Sequence, residues 1–158
     1  KEREESRVPL LLRKYPVKSG DVLLAISNSG RNGVPVLLAR AARERGAYVI
    51  ALTSMQHSSA VSSRNSLHLR LFETADLVLD NGGVLGDASF QAADGTMVGP
   101  TSTAVGAAIL QSIVCRVKEI SLAEGFEADY FKSSNVDGGD AWNDRLIACY
   151  QDSIPGLN

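Results

Sequence analysis

The sequence predicts a doubly wound α/β domain, in which a parallel sheet lies between two layers of helices. Two short apolar segments, Asp21–Ile26 and Tyr48–Leu52, lack the alternation of a half-exposed strand and so indicate strands buried on both faces. Between them, apolar residues recur with helical spacing from Val34 to about Arg45. A strand, a helix and a second strand in this order are typical of a parallel, Rossmann-like crossover unit.

The segments before and just after this unit are less regular. Residues 1–14 are charged and then apolar, and Pro9 argues against one continuous helix there. Residues 53–73 are rich in serine, which predicts a loop with at most a short helix. A third strand is expected at Asp76–Asp80, and irregular structure is expected from there to Val98.

The last third of the chain predicts two helices. Apolar residues mark a long helix from Thr101 to about Glu124, which Gly125 ends. A final helix is expected from about Ala141 to Gln151. Since no linker or repeat interrupts the pattern, we expect a single domain over residues 1–158. The chain opens inside a charged, helix-like stretch without an initiator methionine, so we expect that an N-terminal part of this domain is missing.

Composition excludes several classes of function. Sixteen Lys and Arg against 18 Asp and Glu give a net charge of −2, which leaves no basic surplus for binding nucleic acid. The longest apolar run, Val22–Ile26, is too short to span a membrane. Cys115 and Cys149 lack the spacing of metal ligands and are expected to be buried thiols of a reducing compartment, hence a cytoplasmic protein. We expect no metal, and the absence of dinucleotide, P-loop and serine-hydrolase motifs predicts no cofactor.

The strongest chemical signal is the polar loop Ser27–Asn32, between the end of a strand and the start of a helix. In open α/β sheets, ligands bind outside the carboxyl ends of the strands, and a helix start favours phosphate. Ser27, Ser29 and Asn32 add side-chain donors, and Gly30 allows close approach of the backbone. The alternative is an ordinary strand-to-helix turn that Asn32 caps.

Hydroxyl groups recur in two further loops. Ser54 follows the second predicted strand, and Thr101 and Ser102 open the long helix, so three loops could meet around one polyhydroxylated anion. Alone, Thr101 would be read as a helix cap. His57 is the best nearby candidate for an acid or base, and the alternative is that it is an exposed histidine of a loop. Asp87 is a second candidate base, and the alternative is that it is a turn residue.

The segments Ile26–Gly30, Ala51–Ser54, Ala75–Asp76 and Gly99–Thr103, at their spacing, resemble the sugar isomerase (SIS) domain family. Within it, the chain is most similar to small bacterial stand-alone proteins often labelled as phosphoheptose isomerases, which are distantly similar to N-acetylmuramic acid 6-phosphate etherase. The segment Ser134–Asp140 also resembles that subgroup.

The resemblance implies a five-stranded parallel sheet in an SIS-type three-layer sandwich, which binds a sugar phosphate and forms a homodimer or larger assembly. It implies that Ser27, Asn28, Ser29 and Asn32 hold the phosphate. Ser54, Thr101 and Ser102 would line the rest of the pocket. The chain departs from the family at the position after Gly30, where it carries Arg31, and the first turns of its long helix carry no glutamate or histidine that could act as the base.

These observations leave three functions open. The first is an aldose–ketose sugar-phosphate isomerase that acts through an enediol intermediate, or an etherase-like lyase that acts on an amino-sugar phosphate. The second is a module that senses a sugar phosphate without converting it. The third is a degenerate domain kept for oligomerisation. Resemblance at the level of the fold does not decide between reaction types.

Overall fold

The structure, a computed structural model, describes residues 1–157. The chain divides into two compact units, Lys1–Leu110 and the residues from Gln111 onward. The helices are α1 (Arg7–Lys14), α2 (Gly33–Glu44), α3 (Met55–Ala60), α4 (Ser102–Ala123) and α5 (Gly139–Tyr150), with a 3-10 turn at Leu71–Glu73. The strands are β1 (Val22–Ile26), β2 (Tyr48–Thr53), β3 (Leu77–Asp80), β4 (Ala88–Gln91) and β5 (Met97–Pro100).

A parallel sheet forms the centre of the first unit, with β2 between β1 and β3. Val22 pairs with Tyr48, and Ile50 pairs with Leu77, so all three carboxyl ends lie at one edge of the sheet. The predicted α/β fold with a parallel sheet is therefore confirmed. Within residues 1–157 this sheet has three strands, whereas the family resemblance implies five.

The core of the first unit lies where α2 packs on one face of the sheet. Alternation along the strands directs Ala25, Val49 and Ala51 toward this helix. Small residues at these positions let the helix approach the sheet closely. The buried cluster comprises Ala25, Val36, Ala39, Ala42, Ala47, Val49, Ala51 and Leu71. On the opposite face the large apolar side chains of Val22, Ile26, Tyr48 and Leu77 are exposed.

Asp76 joins the amino ends of β2 and β3. Its backbone N–H donates to the carbonyl of Val49 at 2.8 Å, and its carboxylate accepts the Val49 N–H at 2.8 Å. The same carboxylate pairs with Arg43 of α2 at 2.8 Å. One side chain thus holds the start of β3 to β2 and both strands to the covering helix.

Two local expectations from the sequence are wrong. Helix α1 is continuous through Pro9, because this proline lies in the first helical turn, where its missing N–H has no partner to lose. Strands β4 and β5 form an antiparallel hairpin where irregular structure is expected, with Phe90 opposite Val98. Most side chains of the hairpin are exposed, so the sequence shows no buried apolar pattern there.

In the second unit, side chains of α5 bind the backbone of the segment that precedes this helix. The indole N–H of Trp142 donates to the carbonyl of Tyr130 at 2.7 Å. The Asn143 amide pairs with both backbone groups of Lys132, at 2.9 and 2.8 Å.

The expectation that the two cysteines are buried is wrong. Cys115 of α4 and Cys149 of α5 are both exposed free thiols. Each lies on the exposed side of its helix, a position that cysteine spacing does not reveal. None of the helices within residues 1–157 is long and apolar enough to cross a membrane.

Candidate functional site

The loops after β1 and β2 are joined directly at the carboxyl edge of the sheet. The carbonyl of Asn28 accepts the Ser54 N–H at 3.1 Å and the Thr53 hydroxyl at 3.1 Å. One residue earlier, the Ser27 N–H donates to the Leu52 carbonyl at 3.1 Å, so the parallel pairing of the strands continues into the loops. The convergence of Ser27–Ser29 with Ser54 follows from this pairing.

The loop after β3 completes the arrangement. The amide nitrogen of Asn81 donates to the side-chain oxygen of Asn28 at 2.9 Å, and the side-chain oxygen of Asn81 accepts the Gly83 N–H at 2.9 Å. The Ser54 hydroxyl, which is fully buried, donates to the Gly83 carbonyl at 2.5 Å and accepts the backbone N–H of His57 at 3.0 Å. Three loops from three strands therefore form one hydrogen-bonded network.

Several donors in this network have no partner. Within residues 1–157, the hydroxyls of Ser27 and Ser29 make no hydrogen bond. The amide nitrogen of Asn28 is covered by protein atoms and is also unpaired. Gly30 has φ +58°, and a Cβ there would lie 2.7 Å from the Ser58 hydroxyl, so the loop follows a path that glycine favours. Unpaired donors beside a helix start are what a phosphate group requires.

Asn32 has different partners from those expected. It precedes α2, but its side chain makes no capping bond; its amide nitrogen donates to the Glu2 carboxylate at 2.8 Å. The Glu2 carbonyl accepts the Val34 N–H at 2.9 Å, so the N-terminal segment occupies part of this helix start. The Arg31 guanidinium binds the carbonyl and hydroxyl of Ser62, at 2.8 and 3.2 Å. Phosphate binding by Asn32 stays a prediction.

An internal carboxylate occupies the start of α4. Asp87 accepts the N–H groups of Thr101 and Ser102, at 3.1 and 2.9 Å, and the Ser102 hydroxyl at 2.5 Å. Asp87 adopts φ +71°, which turns its side chain back over the helix end. A ligand could use the Thr101 and Ser102 donors only by displacing this carboxylate, so their role in the pocket stays a prediction.

The same contacts control the charge of Asp87. The hydrogen bond from the Ser102 side chain, the largest effect, lowers the pKa of the Asp87 carboxyl; burial opposes it, and the N–H groups of Ser102 and Thr101 reinforce it. A smaller lowering of this pKa comes from the charge of protonated His57. A carboxylate with a lowered pKa and three donors is a weak base. Asp87 therefore acts here as a helix cap, and His57 lies near enough to act on it electrostatically.

The structure thus joins Asn28 and Ser54 in one network, with Ser27 and Ser29 on either side of Asn28, whereas Asn32, Thr101 and Ser102 are bound to internal carboxylates. Sequence reasoning missed Asn81 and Gly83. The signal was available, because Asn81 follows β3 as Ser27 follows β1. Applying the strand-end rule to the third strand would have included both residues.

Part of the chain matches a known protein family. The family model of the SIS domain matches residues 1–54, which include β1, β2 and the Ser27–Asn32 loop. Residues 1–54 belong to an SIS domain. The family resemblance inferred from the motifs is thereby confirmed, and SIS domains form a phosphosugar-binding superfamily. Ser54, at the end of the matched segment, belongs to the same network as Asn28.

The chain is also similar to bacterial proteins named UPF0309. It is 45% identical to UPF0309 protein BH3325 of Halalkalibacterium halodurans, over 94% of this chain and 62% of that protein. It is 40% identical to a UPF0309 protein of Listeria monocytogenes, over 99% of this chain and 65% of that protein. The chain therefore spans less than two thirds of the length of these relatives. Among solved structures, a mycobacterial quinone oxidoreductase matches 50% of this chain and 21% of its own, with 29% identity and a TM-score of 0.35, too low to support an argument.

Proposed function

We propose that this chain binds the phosphate of a sugar phosphate at the loop Ser27–Gly30. The observation that carries the proposal is the set of unpaired donors there: the hydroxyls of Ser27 and Ser29 and the amide nitrogen of Asn28. The backbone N–H groups of Ser29 and Gly30 also lack partners within residues 1–157. Hydroxyl and amide donors bind phosphate without a lysine, and the adjacent start of α2 adds a positive electrostatic potential.

Thermal unfolding of the full chain with a panel of hexose, heptose and amino-sugar phosphates tests this proposal. A ligand at 100 times its Kd stabilises the folded state by about 2.7 kcal/mol, which raises Tm by several degrees. Ser29→Ala should lose most of that shift. Ser59→Ala, which removes an exposed hydroxyl without a partner, is the matched control and should keep it. Equal shifts in both variants would remove Ser29 from the site, and no shift in the wild type would reject the proposal.

We further propose that the bound sugar phosphate undergoes aldose–ketose isomerisation, with His57 as the acid and base. A base removes the proton from C2 of the aldose while the carbonyl oxygen on C1 gains a proton, which forms an enediol. The protonated base then returns a proton to C1 as the C2 hydroxyl loses its proton, so atoms and electrons balance without an oxidant. Two observations support His57. Its backbone N–H donates to the Ser54 hydroxyl, which places the residue beside the loop network, and the competing candidate, Asp87, is committed to capping α4.

Exchange of the carbon-bound proton with D₂O, followed by NMR, tests the catalytic proposal. The wild-type chain should exchange the C2 proton of its aldose phosphate, and His57→Gln should reduce that exchange at least a hundredfold. The Tm shift caused by the ligand should survive in His57→Gln. Unchanged exchange in this variant would exclude His57 as the base.

A sensor that binds without turnover is the second candidate. It is favoured by the Nδ1 atom of His57, which is covered by protein atoms and unpaired within residues 1–157, and by the commitment of Asp87 to the Ser102 hydroxyl. A ligand that raises Tm but never exchanges its carbon-bound protons would establish this function instead.

A further inference from the structure

We propose that Asn81 is a positioning residue that fixes the orientation of the Asn28 amide, so that Asn28 presents its nitrogen as a donor to an oxygen of the sugar phosphate. This inference rests on the proposed function and adds a residue to that site. It assigns a role to the segment Asn81–Gly83, which follows β3 and takes no part in the family resemblance described above.

The first step is the orientation of Asn81, which a backbone group determines. The Gly83 N–H can only donate, and it points to the Asn81 side chain at 2.9 Å. The Asn81 atom that faces it must therefore be the oxygen. The two ends of a side-chain amide are an acceptor and a donor, so the other end of Asn81 is the donor.

The second step transfers this orientation to Asn28. The Asn81 nitrogen lies 2.9 Å from the side chain of Asn28, so the Asn28 atom that faces it must be an acceptor, its oxygen. The Asn28 nitrogen then points the other way. A fixed backbone N–H thus determines the orientation of two successive amides.

The third step concerns the side-chain nitrogen of Asn28. Among the residues that the structure describes, the Asn28 nitrogen has no hydrogen-bond partner, and protein atoms cover it. An unpaired covered donor is destabilising unless an acceptor binds it. Asn28 lies between Ser27 and Ser29, whose hydroxyls are also unpaired, so an acceptor bound by this loop lies beside all three groups.

Asn81 also stabilises the neighbouring loop. By holding Gly83, it places the Gly83 carbonyl where the buried Ser54 hydroxyl donates to it at 2.5 Å. That hydroxyl accepts the His57 N–H at 3.0 Å. Asn81 therefore connects the loop after β1 with the start of α3, the helix that carries His57, and it touches neither the ligand nor the reacting atoms.

The test uses two substitutions in the full chain, with fructose 6-phosphate and inorganic phosphate as probes. In Asn81→Asp the new carboxylate still accepts the Gly83 N–H but cannot donate, so the Asn28 amide turns its nitrogen toward the carboxylate. Asn81→Ala removes the orienting bond without adding charge. We expect affinity for fructose 6-phosphate to fall about tenfold in each variant, the value of one hydrogen bond to a charged group. Asn135→Asp, at an exposed position, is the charge-matched control and should bind like the wild type.

An NMR measurement without ligand separates orientation from binding. In Asn81→Asp the side-chain NH₂ signal of Asn28 should move downfield and exchange more slowly, because it gains a carboxylate partner. In the wild type, that signal should respond to fructose 6-phosphate. An unchanged Asn28 signal in Asn81→Asp, or wild-type affinity in both Asn81 variants, would overturn the inference. Failure of the wild type to bind either probe would also overturn this role for Asn81, whereas the proposed function fails only if no sugar phosphate of the panel shifts the Tm of the wild type.

Discussion

The starts of α2 and α4 look alike in the sequence but differ in what binds them. Each follows a strand and carries hydroxyl residues beside a glycine. Before α2, the hydroxyls of Ser27 and Ser29 are unpaired within residues 1–157, whereas at α4 the donors of Thr101 and Ser102 are bound by Asp87. Glu2 binds Asn32 and the Val34 N–H at the start of α2 itself, so the donors open to an external anion are those of the preceding loop, where the chain supplies no acceptor of its own. The difference separates a candidate ligand loop from a capped helix.

We expect the largest effect from a substitution that disturbs the close packing of the loop Ser27–Gly30. Gly30→Ala combines the strain of φ +58° with a clash, since the new Cβ would lie 2.7 Å from the Ser58 hydroxyl. We expect it to reduce the free energy of unfolding by about 2–4 kcal/mol. Gly20→Ala is the matched control, because φ there is +89° and no atom lies within 4 Å, so it carries only the strain, about 1–2 kcal/mol. Urea denaturation measures both, and equal losses would show that the packing against Ser58 costs nothing.

The next largest effect is expected at the start of α4, where removal of the Asp87 carboxylate would leave donors unpaired, as in the loop Ser27–Gly30. Asp87→Ala removes the cap from Thr101 and Ser102 and should cost about 1–2 kcal/mol of stability at pH 7. The uncapped N–H groups should then bind an external anion. We therefore expect sulfate to raise the Tm of Asp87→Ala more than that of the wild type, after correction for ionic strength with chloride. The same sulfate response in both proteins would contradict this.

The pH dependence of stability measures how much the charge of the Asp87 cap contributes. Hydrogen bonds from Ser102 lower the pKa of Asp87 in the folded state. The stability that its ionised form contributes is therefore fully present above the pKa of the unfolded chain, about 3.9, and is lost as pH falls through the lower folded value. Urea unfolding at pH 7 and pH 3 should show a smaller difference between wild type and Asp87→Asn at pH 3. A constant difference would mean that the charge of Asp87 contributes nothing.

The smallest effect is expected at Ser27. Its hydroxyl has no partner in the described part of the chain, residues 1–157, so Ser27→Ala should change the free energy of unfolding by less than about 0.5 kcal/mol while weakening the response to a sugar phosphate. Thermal unfolding with and without ligand measures both quantities. A large loss of stability without ligand would show that the hydroxyl serves the fold.

The sequence could predict what depends on local pattern. Unbroken apolar runs identified β1 and β2, and helical spacing identified α2, because burial on both faces and amphipathicity are visible in the order of residues. The rule that parallel strands carry ligand loops at their carboxyl ends located Ser27, Ser29 and Ser54 at the sheet edge. The hairpin of β4 and β5 was missed because its side chains are mostly exposed and no buried pattern marks it.

What the sequence could not predict depends on contacts between distant segments. Asp87 reads as a turn residue until the fold places it over Thr101, fourteen positions later. Asn32 reads as a helix cap until Glu2 binds its amide. In both cases a carboxylate from elsewhere in the chain binds donors that local sequence would assign to a ligand, and only tertiary structure shows this.

Asp76 has a consequence for how much sequence variation this fold tolerates. It ties the amino ends of β2 and β3 to each other and to Arg43, at the end of the sheet opposite the candidate site. A shift of β3 by one residue would turn Leu77 and Leu79 to the other face and move Asn81 away from Asn28. The apolar residues of β3 can therefore be exchanged for one another, while Asp76 keeps the alignment on which the distant loops depend. In a designed library, this aspartate would be the position to hold constant.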